Sequence, residues 1–281
     1  MIDLDDELAQ DYLADCREHV AAIEADLLSL ERGGPVIDMA RFDRVYRCVH
    51  FIWGGAAFFD LLKIRELAQK MEEVLTLFCS RNEAIAPAGV RALISATDTL
   101  NELIQHPAVS NQGGIRERME TLDRLLANGQ SSAGPNEGPK SDRSRGGNGS
   151  LQILLAEDDF ACRLLLQTFL SRYGECHSAV NGKEAVEAFR VSMEGNQPYD
   201  LICMDIMMPE MDGREAVRRI RALEEAKGIL STAGVKIIMT TTVEDVKEVI
   251  LCFRELCDAY LMKPIELTKL VEQMRSYRLI Q

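Results

Sequence analysis

Five side chains, well separated in the chain, could do chemistry together: Glu157 and Asp158 after one short apolar run, Asp205 after a second, Thr241 after a third and Lys263 after a fourth. Three carboxylates brought to one place repel one another unless a cation sits among them. Hard oxygen donors with room for water suit a magnesium ion holding a phosphoryl group. A metal and a phosphate are therefore the chemistry this set implies.

The apolar runs that carry these residues are LQILLA, DLICM, VKIIM and DAYLM. Each is short, rich in branched residues and followed by a segment with helical spacing, which reads as a parallel sheet alternating with helices. In such a sheet the carboxyl ends of the strands share one edge, where ligands bind. Strands are expected near 151–157, 176–179, 200–205, 236–240 and 259–262, giving a doubly wound α/β fold of five parallel strands over 151–281.

The other end of the chain reads as all helix. Leu8, Tyr12, Cys16, Ile23, Leu27 and Leu30 mark one amphipathic face that Gly33-Gly34-Pro35 ends, and Phe42, Val45, Val49, Ile52 and Ala56 mark a second. Further helical patterns cover Leu61–Cys79, Pro87–Ile104 and Ile115–Leu126, with Asn82, Pro107 and Gly113-Gly114 as punctuation. Short connections predict an antiparallel bundle over 1–127. Between the two parts, residues 128–150 run NGQSSAGPNEGPKSDRSRGGNGS, too polar to bury a core, and read as a flexible linker able to wander about 25–30 Å. The two parts could reach each other across it.

Residues 1–127 carry 22 acids and 13 bases, and residues 151–281 carry 21 and 16, within a net charge of −13. Both parts are acidic, which argues against nucleic acid or an anionic membrane surface as the main partner. No apolar stretch reaches the roughly 18 residues of a membrane span, and the acidic start MIDLDDELAQ is unlike a signal peptide. A cytoplasmic protein is expected. The eight cysteines include no C-x-x-C pair and read as reduced core thiols, and the four histidines are too dispersed for a zinc site.

AEDD at Ala156–Asp159, MDIMMPEMDG at Met204–Gly213, MTTT at Met239–Thr242 and YLMKP at Tyr260–Pro264 resemble the receiver domain of bacterial response regulators. The resemblance covers essentially all of 151–281. It implies that Asp205 accepts a phosphoryl group as an acyl phosphate. Asp158 and Asp205 would ligate Mg2+, with Glu157 helping directly or through water and the Met207 carbonyl adding a ligand. Lys263 would pair with a phosphoryl oxygen, or else serve as a structural ion pair, and Pro264 would aim it through a constrained turn. Thr241 is preferred to Thr240 and Thr242 because it lies 22 residues before Lys263, the family's usual separation. On phosphorylation its hydroxyl would bond the phosphate and Tyr260 would swing inward; an ordinary half-buried aromatic is the other reading of Tyr260. Asp159, the third acid of the run, reads as the start of the next helix.

On a helical projection, His50 falls about 110° from the centre of the stripe Phe42, Val45, Val49, Ile52 and Ala56, beside the core and not in it. Gly54 and Ala57 share its ridge, which predicts an imidazole with small neighbours, open to a flat partner surface. Two glycines in mid-helix, Gly54 and Gly55, cost about 1 kcal/mol each relative to alanine, so something other than helix stability placed them.

The stretch from His50 to Asp60 resembles the H-x-I-K-G-G-A-A-x-F-G signature of histidine phosphotransfer domains, particularly the amino-terminal domain of chemotaxis-type histidine kinases. That resemblance covers roughly residues 5–127. It implies that His50 carries a phosphoryl group and that Glu72, 22 residues on, orients its ring. The signature's lysine is Trp53 here, which reads equally as core or as a docking contact, and its last glycine is Asp60.

The resemblances together imply a phosphorelay protein that exchanges phosphoryl groups with a sensor histidine kinase, including the chemotaxis type, and with other receiver or phosphotransfer proteins. Activity beyond slow loss of phosphate from the receiver is not expected, since no nucleotide-binding kinase sequence is visible. No DNA-binding output domain is seen before Gln281, so an upstream donor and a downstream partner are expected. An alternative has only the receiver phosphorylated, with the bundle a docking platform. A third has the receiver blocking or exposing His50 within the chain.

Overall fold

In a computed structural model, the chain is described at residues 7–32, 38–81, 87–131, 150–242, 246–254 and 256–281. It divides into two compact units, Met1–Asn136 and Glu137–Gln281. Gly33-Gly34-Pro35, Asn82 and residues 132–149 of the predicted linker lie outside the described residues.

The first unit is built from α1 (Glu7–Arg32), α2 (Met39–Phe58), α3 (Leu62–Arg81), α4 (Pro87–Gln105) and α5 (Arg116–Ser131). Asp38 starts α2 by accepting the Arg41 amide, a bond that satisfies one of the orphan donors of the first turn. The predicted stripe of α2 is buried from Phe42 to Ala56 and packs against α1 and α3, while α1 also packs on α4 and α5 lies against α3 and α4. Only Phe59, Asp60 and Leu61 join α2 to α3, and two helices packed together across so short a connection run antiparallel.

Gly55 has a packing reason. The Tyr12 ring of α1 lies where a side chain would start, so that an added Cβ would stand 2.2 Å from the ring, and the Tyr12 hydroxyl donates to the Ile52 carbonyl at 2.6 Å. The half-turn after α2 places Asp60 at φ 56°, in the left-handed region, which explains why the resembled signature has glycine there. Aspartate is among the few other residues that tolerate it.

Two features of this unit differ from the sequence reading. Pro107, read as punctuation, opens a 3-10 helix over Pro107–Gln112. The helix α5 continues to Ser131, four residues into the stretch read as linker. A helix already nucleated on packed residues can extend through polar ones at small cost per residue.

The second unit is a sheet of β1 (Leu151–Ala156), β2 (Gly174–Ala179), β3 (Leu201–Asp205), β4 (Lys236–Thr241) and β5 (Ala259–Met262), in the order β2-β1-β3-β4-β5 and parallel throughout. The intervening helices are α6 (Phe160–Leu170), α7 (Gly182–Glu194), α8 (Gly213–Ala226), α9 (Val246–Arg254) and α10 (Leu267–Ser276). Helices on both faces leave no polar side for the central strand, and all five residues of β3 are buried. One face of the sheet packs Ile153, Leu155 and Leu201 against Leu166 and Leu170 of α6 and Leu270 and Met274 of α10. Strand β2 begins at Gly174, before the predicted start, and β4 runs one residue further, to Thr241. No helix among the described residues is long and apolar enough to cross a membrane.

Candidate functional site

The carboxyl ends of β1, β3, β4 and β5 deliver Glu157, Asp205, Thr241 and Lys263 to one edge of the sheet. One carboxylate oxygen from each of Glu157, Asp158 and Asp205 lies within 4.8 Å of the others. The Lys263 ammonium reaches into this cluster, 2.7 Å from Asp205 Oδ2 and 2.8 Å from both oxygens of Glu157. Its approach is set by the backbone, because the Lys263 amide donates to the Thr241 carbonyl at 2.7 Å and the Lys263–Pro264 peptide is cis.

Glu157 has no exposed surface, Asp205 is buried and Asp158 faces solvent. Burial, followed by the charge of Asp205, pushes the Glu157 carboxyl above its ordinary range even with Lys263 alongside. Burial alone would pull the Lys263 ammonium down, but its hydrogen bonds to Asp205 and Glu157 outweigh that and hold it up. The cluster thus has three acids around one ammonium, and its open side is the Asp158 side.

The remaining predicted residues surround it. Thr241 ends β4, fully buried, one residue beyond Thr240, which pairs with Asp205 across the sheet, whereas Thr242 is exposed. Tyr260 on β5 is half-buried and meets Phe253 of α9 edge-on at 5.9 Å. Met207 lies two residues past Asp205 and is 62 % exposed. Asp159 caps α6 by accepting the Cys162 amide at 2.8 Å, as the sequence suggested.

Two supports were not foreseen. The Arg163 guanidinium donates to the carbonyls of Glu157 at 2.7 Å and Asp158 at 3.1 Å, bracing the acidic loop. Gly213 starts α8 against the end of β3, donating its amide to the Ile206 carbonyl, and a Cβ there would stand 2.0 Å from the Asp205 carbonyl oxygen. The Asp-Gly pair at 212–213 is the sequence signal for that close approach.

In the helical unit, Glu72 of α3 does meet His50 of α2, with its Oε1 2.6 Å from Nδ1. An ionised carboxylate can only accept, so Nδ1 is the donor of this pair, and in the neutral ring that leaves the lone pair on Nε2. The exposure expected of His50 is not observed: the residue is only 4 % accessible. The projection placed the ring beside the core and counted Gly54 and Ala57 on its ridge, but not Tyr46 and Trp53. The Tyr46 ring lies 5.8 Å from the imidazole, close to parallel, and the Trp53 ring lies 5.5 Å away at 38°. Trp53 is half-buried and packs on the histidine itself; Ala57 is exposed and Gly54 is buried.

Residues 7–106 match the Hpt domain family and residues 153–275 match the response regulator receiver domain family. Among curated proteins, the chain is 32% identical over 150 residues to a probable histidine kinase 2 of Oryza sativa, covering 50% of this chain and 14% of that protein. It is 34% identical over 128 residues to the transcriptional regulatory protein SrrA of Staphylococcus aureus, covering 45% of this chain and 47% of that protein. The chain therefore spans less than half the length of these relatives. Similar solved structures include the receiver domain of the Arabidopsis thaliana histidine kinase CKI1 with Mg2+ and BeF3−, at 29% identity over 46% of this chain and 89% of that one, TM-score 0.40. Another is the Saccharomyces cerevisiae complex of Ypd1 with the receiver domain of Ssk1, at 28% identity over 46% and 89%, TM-score 0.41. With these family matches falling on the two units that hold His50 and Asp205, the chain joins an Hpt domain to a response regulator receiver domain.

Proposed function

We propose that the chain works as a phosphorelay protein in which Asp205 accepts a phosphoryl group and His50 carries one, linking a sensor histidine kinase to other receiver or phosphotransfer proteins. The observation that carries this reading is that each unit holds a nucleophile already paired with the group it needs: Asp205 with Lys263, and His50 with Glu72.

An Asp205 oxygen attacks phosphorus, the donor departs, and an acyl phosphate forms. Lys263 exchanges its bond to Asp205 for one to a phosphoryl oxygen, and Thr241 and Tyr260 close around the product. Mg2+ suits the donor set, three carboxylates with one exposed edge; Glu157, Asp158, Asp205 and the Met207 carbonyl would hold it, and it would offset the negative charge that meets an incoming phosphate. In the helical unit, Nε2 of His50 attacks phosphorus and the donor group departs, while Glu72 holds the Nδ1 proton and steadies the imidazolium that results.

The protein moves phosphate and turns over no substrate. Its working modules are 1–127 and 151–281 with 128–150 between them, in the cytoplasm, and neither nucleic acid nor membrane is its partner. The His50–Glu72 pair favours an active carrier over a bundle that serves only for docking.

Chemical stability of the label tests this. Treated with acetyl phosphate and Mg2+, the chain should gain an alkali-labile label that Asp205→Asn lacks. Treated with phosphoramidate or a phosphorylated kinase, it should also gain an alkali-stable, acid-labile label that His50→Gln lacks. An Asp205 label without any His50 label, whatever the donor, would leave a phosphorylation-switched docking protein.

A further inference from the structure

We propose that Trp53 is a specificity-determining residue that gates His50: its indole covers the imidazole, so a phosphoryl donor reaches Nε2 only after the indole swings away. The proposal rests on the reading of His50 as a phosphoryl carrier.

Tyr46, His50 and Trp53 stand at i−4, i and i+3 on α2, the spacing that brings side chains onto one ridge. Both aromatic rings lie against the imidazole, at 5.8 and 5.5 Å, while Glu72 takes Nδ1 from α3. The His50 side chain is left 5 % exposed. Transfer in line needs phosphorus about 3–3.5 Å from the attacking nitrogen with the leaving oxygen opposite. A ring so covered has no room for that approach, so a neighbour must move.

The surroundings identify which one. Glu72 must stay to hold the Nδ1 proton, and Tyr46 is buried, at 7 % exposure. Trp53 is half-buried, and the neighbouring ridge position Ala57 is exposed and small, so the indole has a solvent-side path. A long, hydrated lysine at this position, as in the resembled signature, would not lie flat on the ring. Trp53 therefore shields the nucleophile from small donors, while a docked partner that offers the indole another apolar surface opens it. The aromatic contact biases the gate toward closed by roughly 2- to 12-fold.

The experiment uses the full chain in an Asp205→Asn background, so that only His50 can take the label, with phosphoramidate as donor. Trp53→Ala should raise the rate of alkali-stable labelling by roughly 2- to 12-fold. Because the chain has a single tryptophan, the unsubstituted gate can be followed directly. As His50 becomes phosphorylated, Trp53 emission should move to the red and acrylamide should quench it more strongly, with no change in a His50→Gln control. Equal labelling rates, or a labelled His50 with unchanged Trp53 emission, would overturn the gate and leave His50 a carrier. No label in either protein would remove the carrier reading and the gate with it.

Discussion

At the scale of single residues, the acidic pocket joins opposing demands. Glu157 is shut away from water beside Asp205, which raises its affinity for a proton, yet as a ligand it must be deprotonated. The sign follows directly: a proton held in this raised range competes with a cation, so affinity for Mg2+ is full above the range and is lost as pH falls through it. As pH falls through that raised range, Mg2+ binding should weaken by up to about tenfold per unit, beginning above the range of an ordinary glutamate. Calorimetric titration at several pH values measures it, and Glu157→Gln should flatten the profile; a flat profile in the unsubstituted protein would contradict the role given to Glu157. The convergence of these residues was legible because parallel strands must end on a common edge, and Asp205, Thr241 and Lys263 each close an apolar run. The cover over His50 was not, because a helical projection gives the angle of a residue but not how far a neighbouring ring leans across it. Tyr46 and Trp53 were there to be read at i−4 and i+3, but Tyr46 was not considered and Trp53 was weighed as core or docking contact and not against the imidazole.

At the scale of elements, close contacts explain residues that helix propensity disfavours. Alanine at position 55 would gain about 1 kcal/mol of helix propensity. Its Cβ would also meet the Tyr12 ring at 2.2 Å, in a packed core that yields little. Gly55→Ala should therefore destabilise the helical unit by about 1–3 kcal/mol, read as a lower urea midpoint by Trp53 fluorescence. An unchanged or higher midpoint would show that the α1–α2 packing is looser than described. The helices and strands themselves were readable from periodicity, and a five-stranded parallel sheet from the alternation of strand and helix; the order β2-β1-β3-β4-β5 came only from the structure. The Tyr12–Gly55 contact was not, since it joins residues 43 positions apart on different helices and no pattern within either helix announces it. The end of α5 was missed for the opposite reason: turn-forming residues at 128–131 are only weak obstacles to a helix that packing has already started.

At the scale of the whole molecule, the acidic balance of both units sets what can approach them. A donor or acceptor protein must bring its own cations or rely on apolar contact, and Phe160, Met207 and Met262, which adjoin the acidic pocket in sequence, are exposed apolar side chains suited to the latter. The two family matches account separately for the two units, and a relay through the chain requires both nucleophiles to be competent. On the function proposed above, distant side chains converge to grip a divalent ion while Asp205 takes a phosphoryl group. Its most direct test is a titration of the 15N-labelled chain with Mg2+ and then BeF3−, a mimic of the phosphoryl group. Amide signals around Asp205, Thr241 and Lys263 should move on each addition, with those of BeF3− absent in Asp205→Asn. An unchanged spectrum, or the same BeF3− shifts in the variant, would contradict it.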